Sequence, residues 1–311
     1  MKLNRKLRMG MVGGGRGAFI GAVHRMAARL DGHYDFCAGA LSSDPERARA
    51  SGRELGLTDD RSYAGFEDLL EGESARADGV EAVAIVTPNH MHFPVAKACL
   101  EAGIHVICDK PMTVTVDEAR TLRTLAESHG RILAVTYNYS GYPLVREARE
   151  MVRRGDLGNV RVVQGEYAQD WLSRDIESGG QKQASWRTDP GRSGAGGCIG
   201  DIGTHIYQLI SFVTGLETQA LSAELATFVE GRRLDDNAHL LLRFRGGAGT
   251  FREHSRSSPM GLRLTCPGPL RTLRCRNDAR CRAQPFRGSS TASCIRLGFV
   301  AILMLCINPH R

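Results

Sequence analysis

No long apolar run occurs in the sequence. The longest late stretch, residues 299–307, is about half of the ~20 residues that a membrane-spanning helix needs. Residues 1–10 carry basic side chains but no apolar segment before Met11 and Val12, and glycines follow at once, so no secretory signal is expected. Both features point to a cytoplasmic chain without a membrane partner. The nine cysteines are odd in number and include no CxxC pair or metal-ligand spacing. Neither a disulfide framework nor a zinc site is expected. Excess positive charge is also missing from most of the chain. The formal net charge is +7, yet residues 252–311 hold eleven arginines, no lysine and only two acids, a surplus of nine. The remainder therefore stands at −2. A nucleic-acid binder would show a basic stripe on a structured face, and none is legible here.

What is present reads as a globular protein. Hydrophobic residues make up 42% and charged residues 24%, and 311 residues suffice for two domains. The first half alternates two periods. Residues 7–12, 34–41, 83–86, 105–108 and 132–135 read as strands, and 17–30, 45–55, 94–102 and 116–128 as helices. In the helix over 17–30, Phe19, Ile20, Val23, Met26, Ala27 and Leu30 recur at helical spacing. Asp44 and Pro45 form a cap and first-turn pair for the next helix. Such alternation predicts a doubly wound parallel sheet with helices on both faces. After about Tyr137 the pattern becomes a helix at 144–153, a strand at 160–167 and a polar, Gly-rich loop at 173–197. A helix at 203–214 follows, then strands near 221–229 and 238–244. This predicts a second, α+β domain with a mainly antiparallel sheet.

The tail differs in character. From about Arg252, Arg, Ser, Pro and Cys dominate, five of the nine cysteines occur, and no sustained period is visible. One reading is a disordered basic tail. The sharper one is a shifted reading frame that begins between Phe251 and Pro267, which would leave the second sheet incomplete, with an exposed edge.

Four motifs carry chemistry. Gly13-Gly14-Gly15-Arg16-Gly17-Ala18 follows a strand and opens a helix, matching G-x-G-x-x-A. Gly13 permits a tight turn, Gly15 a close backbone approach to a pyrophosphate, and Ala18 helix–strand packing. At the end of the second strand, where an acid usually meets the ribose, stand Ser42 and Ser43, with Arg47 one turn into the helix. A hydroxyl and a guanidinium suit a 2′-phosphate, so NADP is favoured over NAD; a plain solvated Arg47 is the alternative. Thr87-Pro88-Asn89-His90-Met91-His92 follows another strand, at the end where such sheets bind ligands. A Pro-Asn turn capping the next helix is its simpler reading. No third ligand accompanies His90 and His92, which argues against a metal. Asp109-Lys110-Pro111 follows a third strand, and that position favours a functional ammonium over a surface lysine. Finally, Asp201 and His205 stand at i and i+4, on one face if the helix includes both. Histidine suits proton transfer near neutral pH; the alternative makes Asp201 a cap and His205 a core residue.

Taken together, the glycine loop, Thr87-Pro88-Asn89-x-x-His92, Asp109-Lys110-Pro111 and Asp201-x-Gly203-x-His205 resemble the Gfo/Idh/MocA oxidoreductases in order and spacing, over about residues 7–250. Tyr137-Asn138-Tyr139, Ser185-Trp186-Arg187 and Asp235-Asp236-Asn237 resemble stretches of bacterial members. The resemblance implies a Rossmann NAD(P)-binding domain over residues 1–136, a substrate and oligomerisation domain over 137–265, and an atypical tail over 266–311. It implies hydride transfer between nicotinamide and a polyol, inositol, sugar or related alcohol, in a homo-oligomer if the second domain is intact. Gly13, Gly15, Arg16, Ala18, Ser42, Arg47, Thr87, Asn89, His92, Asp109 and Lys110 would then hold the cofactor. Lys110, Asp201 and His205 would be the catalytic set, with Asp109 replacing the family's usual glutamate, and Tyr139, Trp186 and Arg187 would line the substrate side. Two alternatives remain open here: a non-catalytic or truncated NAD(P)-binding member, and a glycoside hydrolase that uses nicotinamide transiently.

Overall fold

The computed structural model describes residues 5–246 in full and the backbone of three later strands, Gly261–Thr265, Thr272–Arg276 and Arg280–Gln284. The chain divides into two compact units, the first ending at Thr136 and the second beginning at Tyr137.

In the first unit, strands β1 (Leu7–Gly13), β2 (Tyr34–Ala40), β3 (Ala82–Val86), β4 (His105–Cys108) and β5 (Leu133–Val135) form one sheet in the order β2-β1-β3-β4-β5. All of its pairings are parallel. The helices α1 (Phe19–Leu30), α2 (Pro45–Glu54), α3 (Phe66–Ser74), α4 (His92–Glu101) and α5 (Val116–Ser128) connect them. Every residue of β3 is buried, because both faces are covered. Its alternation sorts them: Val83 and Ile85 join the core that holds Leu69, Val95, Leu100 and Leu122, whereas Ala82, Ala84 and Val86 join Met9, Met11 and Ala28. Asp44 does cap α2, accepting a hydrogen bond from the Arg47 N–H at 2.7 Å.

Two expectations for this unit change. Helix α1 buries Gly21, His24, Arg25 and Ala28, while Phe19, Met26 and Leu30 are 77%, 64% and 50% exposed. The reason is proximity. A Cβ at Gly21 would lie 2.4 Å from the Gly14 Cα, so the position facing the glycine turn must be a glycine, and this fixes the rotation of the helix. That close approach falls on Gly21, not on Ala18, which is the residue preceding α1. Helix α3 was not legible because charged residues and Gly72 interrupt its period. Asp68 accepts from the Gly65 N–H at 3.1 Å, and the Tyr63 ring occupies the space a Gly72 side chain would need.

The second unit packs α6 (Pro143–Arg154) and α9 (Thr204–Thr214) together with β6 (Val162–Glu166) and the hairpin β7 (Thr218–Ala226) and β8 (Asn237–Phe244). Val145, Ala148, Val163, Ile206, Leu209 and Phe244 belong to its core. The stretch 173–197, read as loop, contains two short helices, α7 (Lys182–Arg187) and α8 (Pro190–Ser193). Each is too short to show a period and is declared only by its cap: Gln181 accepts from the Ala184 N–H and Asp189 from the Gly191 N–H. Strands β9 (Gly261–Thr265), β10 (Thr272–Arg276) and β11 (Arg280–Gln284) extend β6 into a four-stranded antiparallel sheet ordered β11-β10-β9-β6. They lie where the sequence shows no strand period, since backbone pairing to a neighbour overrides weak local preference. The rest of the Arg- and Cys-rich tail, and with it the proposed frame change, lies outside the described residues.

Candidate functional site

The site residues fall into one cluster in each unit. In the first, parallel pairing puts the C-terminal ends of β1 to β4 on one edge of the sheet, and the glycine turn, Ser42, Thr87 and Asp109 all follow those ends. Gly13 has φ 82°, and a Cβ there would stand 2.9 Å from the Val86 carbonyl oxygen. Gly15 N–H donates to the Leu41 carbonyl at 3.0 Å, and a Cβ on Gly15 would meet that oxygen at 2.6 Å and the Ser51 Oγ at 2.7 Å. Arg25, buried beneath, donates to the Gly14 carbonyl at 2.9 Å; burial, then nearby Arg29, lowers its pKa. The turn is therefore held from below and has no room for side chains. We expect Gly15→Ala to cost about 1–3 kcal/mol by overpacking and to weaken dinucleotide binding, which denaturant unfolding and NADPH titration would each record.

A dinucleotide fits these features. The turn leads into α1, whose first N–H groups suit a pyrophosphate. The buried Thr87 Oγ1 at the end of β3 has no hydrogen-bond partner among the described residues, as expected of a group awaiting a ligand. Asn89, buried, sits in the short 3₁₀ turn just beyond. His92 ties two turns together, with Nδ1 2.7 Å from the Pro111 carbonyl and Nε2 2.9 Å from the Thr87 carbonyl. Burial lowers its pKa, so the ring stays neutral and its one proton serves one of these carbonyls at a time. His92 thus shapes the rim through backbone groups.

Asp109, next to Lys110, accepts from the Thr136 hydroxyl at 2.7 Å and lies 3.0 Å from His24 Nε2, both through Oδ1. Burial by itself would raise its pKa, but the His24 and Thr136 hydrogen bonds and the His24 charge outweigh that, and the carboxyl is held below its ordinary value. Arg16 turns its guanidinium to Glu54 on α2, while its N–H donates to Ser51 Oγ. Ser42 Oγ accepts from the Asp44 N–H at 3.1 Å, and Arg47 is exposed on the first turn of α2.

In the second unit, Asp201 lies in a π-helical turn, Ile199–Gly203, that runs directly into α9 and His205. The π turn passes into α9 without a break, so acid and imidazole belong to one continuous winding. His205 is buried among tyrosines, with ring centroids at 4.9 Å from Tyr139, 5.7 Å from Tyr137 and 6.1 Å from Tyr167. The Tyr139 and Tyr167 hydroxyls hydrogen-bond at 2.5 Å, Gln169 donates to Tyr167 at 2.8 Å, and Trp171 donates to Gln169 at 3.0 Å. Burial pushes both phenols up, so both stay protonated. Arg187 Nε donates to Asp201 at 3.2 Å, and its guanidinium lies 4.2 Å above the Trp186 ring and 5.6 Å from that of Trp171. A pocket lined by Trp171, Arg187, Asp201, Arg232 and Leu234 opens beside this pair.

Tyr139, Trp186 and Arg187 therefore gather around the acid and imidazole, as Thr87, Asn89, Asp109 and Lys110 gather along the sheet edge. His24, Thr136, Ser51, Tyr137 and Tyr167 were missed. His24 and Arg25 left one legible trace, two polar residues inside an otherwise apolar helix pattern. Thr136 and Ser51 left none. Among the described residues, no group of three or more His, Cys, Asp and Glu side chains could hold a metal ion. No described helix is long and apolar enough to cross a membrane.

Known proteins share this fold. Residues 7–137 match the oxidoreductase family model for an NAD-binding Rossmann fold, and residues 145–269 match the GFO/IDH/MocA C-terminal domain. The second match runs past the region where the sequence changes character. An uncharacterized oxidoreductase of Bacillus subtilis, YfiI, is 36% identical over 249 residues, covering 79% of this chain and 63% of its own length. Levoglucosan dehydrogenase of Pseudarthrobacter phenanthrenivorans is 30% identical over 253 residues, covering 79% and 60%. The chain thus spans about 60% of the length of these curated relatives. Among solved structures, an inositol dehydrogenase homolog from Azotobacter vinelandii, complexed with NAD+, superimposes with a TM-score of 0.83 at 34% identity, covering 91% of this chain and 77% of the other. An oxidoreductase from Sinorhizobium meliloti gives 0.74 at 44% identity, covering 92% and 80%. Two domain models in sequence, with solved relatives above 30% identity that this chain covers by more than two thirds, establish that the chain belongs to the Gfo/Idh/MocA oxidoreductase family.

Proposed function

We propose that this chain is a nicotinamide-dependent dehydrogenase of a polyol, inositol, sugar or related alcohol, with NADP preferred over NAD. The observation that carries the reading is the buried His205 imidazole, walled by three tyrosine rings and following the Arg187-paired Asp201, in a chain whose first unit carries a tightly packed glycine turn at the C-terminal edge of a parallel sheet. In this reading residues 1–136 bind the cofactor and residues 137–265 the substrate. Bound nicotinamide supplies the hydride acceptor. His205 removes the proton from the substrate hydroxyl, and in the reverse direction returns it. The Lys110 ammonium stabilises the developing alkoxide by charge. Asp201, oriented by Arg187, receives a substrate hydroxyl, and Trp171 and Trp186 supply apolar ring surface against which a sugar face packs.

The NADP preference rests on the end of β2. The first acid after it, Asp44, caps α2 through Oδ1. Ser42 and the exposed Arg47 remain as partners for a 2′-phosphate. Thermal unfolding with NADPH or NADH tests both points. Binding is expected to stabilise the chain by ~2.7 kcal/mol at a hundredfold excess over Kd. Arg47→Ala should weaken NADPH about tenfold, the worth of one charge-assisted hydrogen bond, and leave NADH unchanged. A shift with NADH alone would sink the NADP preference; no shift with either would sink the dehydrogenase reading.

A further inference from the structure

The acidic pair Asp235-Asp236 stands outside the chemistry described so far, and its geometry gives it a part. Asp235 is 8% exposed. Its Oδ1 accepts from the Gly197 N–H at 2.7 Å, and its Oδ2 accepts from the Ile199 N–H at 2.8 Å and the Cys198 thiol at 3.0 Å. Its carbonyl accepts the Cys198 N–H at 2.8 Å. Gly197 presses so close that a Cβ there would stand 2.1 Å from that carbonyl oxygen.

The first N–H groups of a helix lack intrahelical partners, and a side chain just upstream usually satisfies them. Here no upstream side chain does so for Gly197 and Ile199. The carboxylate comes instead from a segment 36 to 38 residues later, just before β8. The turn so capped is the π-helical one that carries Asp201 and feeds His205 into α9. Such a turn is an irregular winding that needs outside support, and its pitch decides where both side chains fall.

We infer that Asp235 is a positioning residue for the Asp201–His205 turn, capping it from the start of β8 so that imidazole and carboxylate are held in register for proton transfer. The inference rests on the dehydrogenase reading. Its neighbour serves a different segment: Asp236 accepts from the Phe228 and Val229 N–H groups, each at 2.9 Å, and pairs with the buried Arg232 at 3.3 Å. Arg232 is also bound to Glu177 at 2.8 Å. Two adjacent acids thus pin two separate turns, which provides an internal control.

Asp235→Asn and Asp236→Asn are compared as full chains. Both should lower Tm. Asp235→Asn alone should lower kcat, on the order of 10- to 100-fold, the cost of a misplacement near 1 Å, with NADPH affinity little changed. It alone should also displace the His205 ring signals in NMR spectra, assigned with His205→Asn and read without substrate. If a folded Asp235→Asn protein keeps wild-type kcat and His205 signals, or if Asp236→Asn reproduces both effects, the inference is overturned. Should Asp235→Asn fail to fold, Asp235→Glu keeps the charge but moves the carboxylate by one methylene away from the Gly197 and Ile199 N–H groups; His205 signals that do not move in that variant also overturn it. A wild-type chain that turns over none of the alcohols tried defeats the dehydrogenase reading instead, and the NMR comparison still decides the role of Asp235.

Discussion

His205→Asn is expected to lower kcat by on the order of 10²- to 10⁴-fold, the range that a positioned general acid–base contributes. The substitution keeps a polar side chain of similar reach at one ring position but removes the imidazole that would accept and return the proton. NADPH affinity is expected to stay at the wild-type level, because the residues proposed to hold the dinucleotide all belong to the first unit. The tyrosine wall should survive as well, since Tyr139, Tyr167, Gln169 and Trp171 bond one another in a chain that does not pass through His205. Single-turnover hydride transfer and cofactor titration separate the two quantities. Wild-type kcat in a folded, NADPH-binding His205→Asn protein would remove the acid–base role.

Lys110→Met is expected to lower kcat by on the order of 10²- to 10³-fold, as removal of one charge-stabilising donor does. Methionine keeps most of the apolar stem, so the loss reports the ammonium and not the packing. The charge next to it is stable across the assay range. Asp109 has a folded pKa below its unfolded value, so its contribution to stability is fully present above the ordinary carboxylate pKa and is lost only as pH falls through the lowered one. Loss of activity in Lys110→Met should therefore persist at all neutral pH values and should not be rescued by raising pH. An equal loss of NADPH affinity and kcat would assign Lys110 to cofactor binding alone.

The strand and helix order of the first unit was readable because both kinds of period survive in it. β4 and α5 fall on the residues expected, and β1 and β2 within one. The motifs at the strand ends were readable for the same reason, since a parallel sheet must carry its C-terminal ends on one edge. The inward stripe of α1 was not. Apolar spacing pointed to Phe19, Met26 and Leu30, but contact with the glycine turn admits only Gly21, and the helix rotates accordingly.

Side-chain partnerships divide along the same line. That Asp44 caps α2 could be read locally, because donor and acceptor lie three residues apart. That His24 and Thr136 hold Asp109, across 85 and 27 residues, could not. Nor could the cap that Asp235 places on a turn near residue 198, or the burial of His205 among Tyr137, Tyr139 and Tyr167. The sequence by itself determined the alternation of elements, the places of the glycine turn, the lysine and the acid–histidine pair, and thereby the family. Only the tertiary structure decided which groups orient those residues, because a hydrogen bond between distant segments leaves no period and no spacing in the chain that makes it.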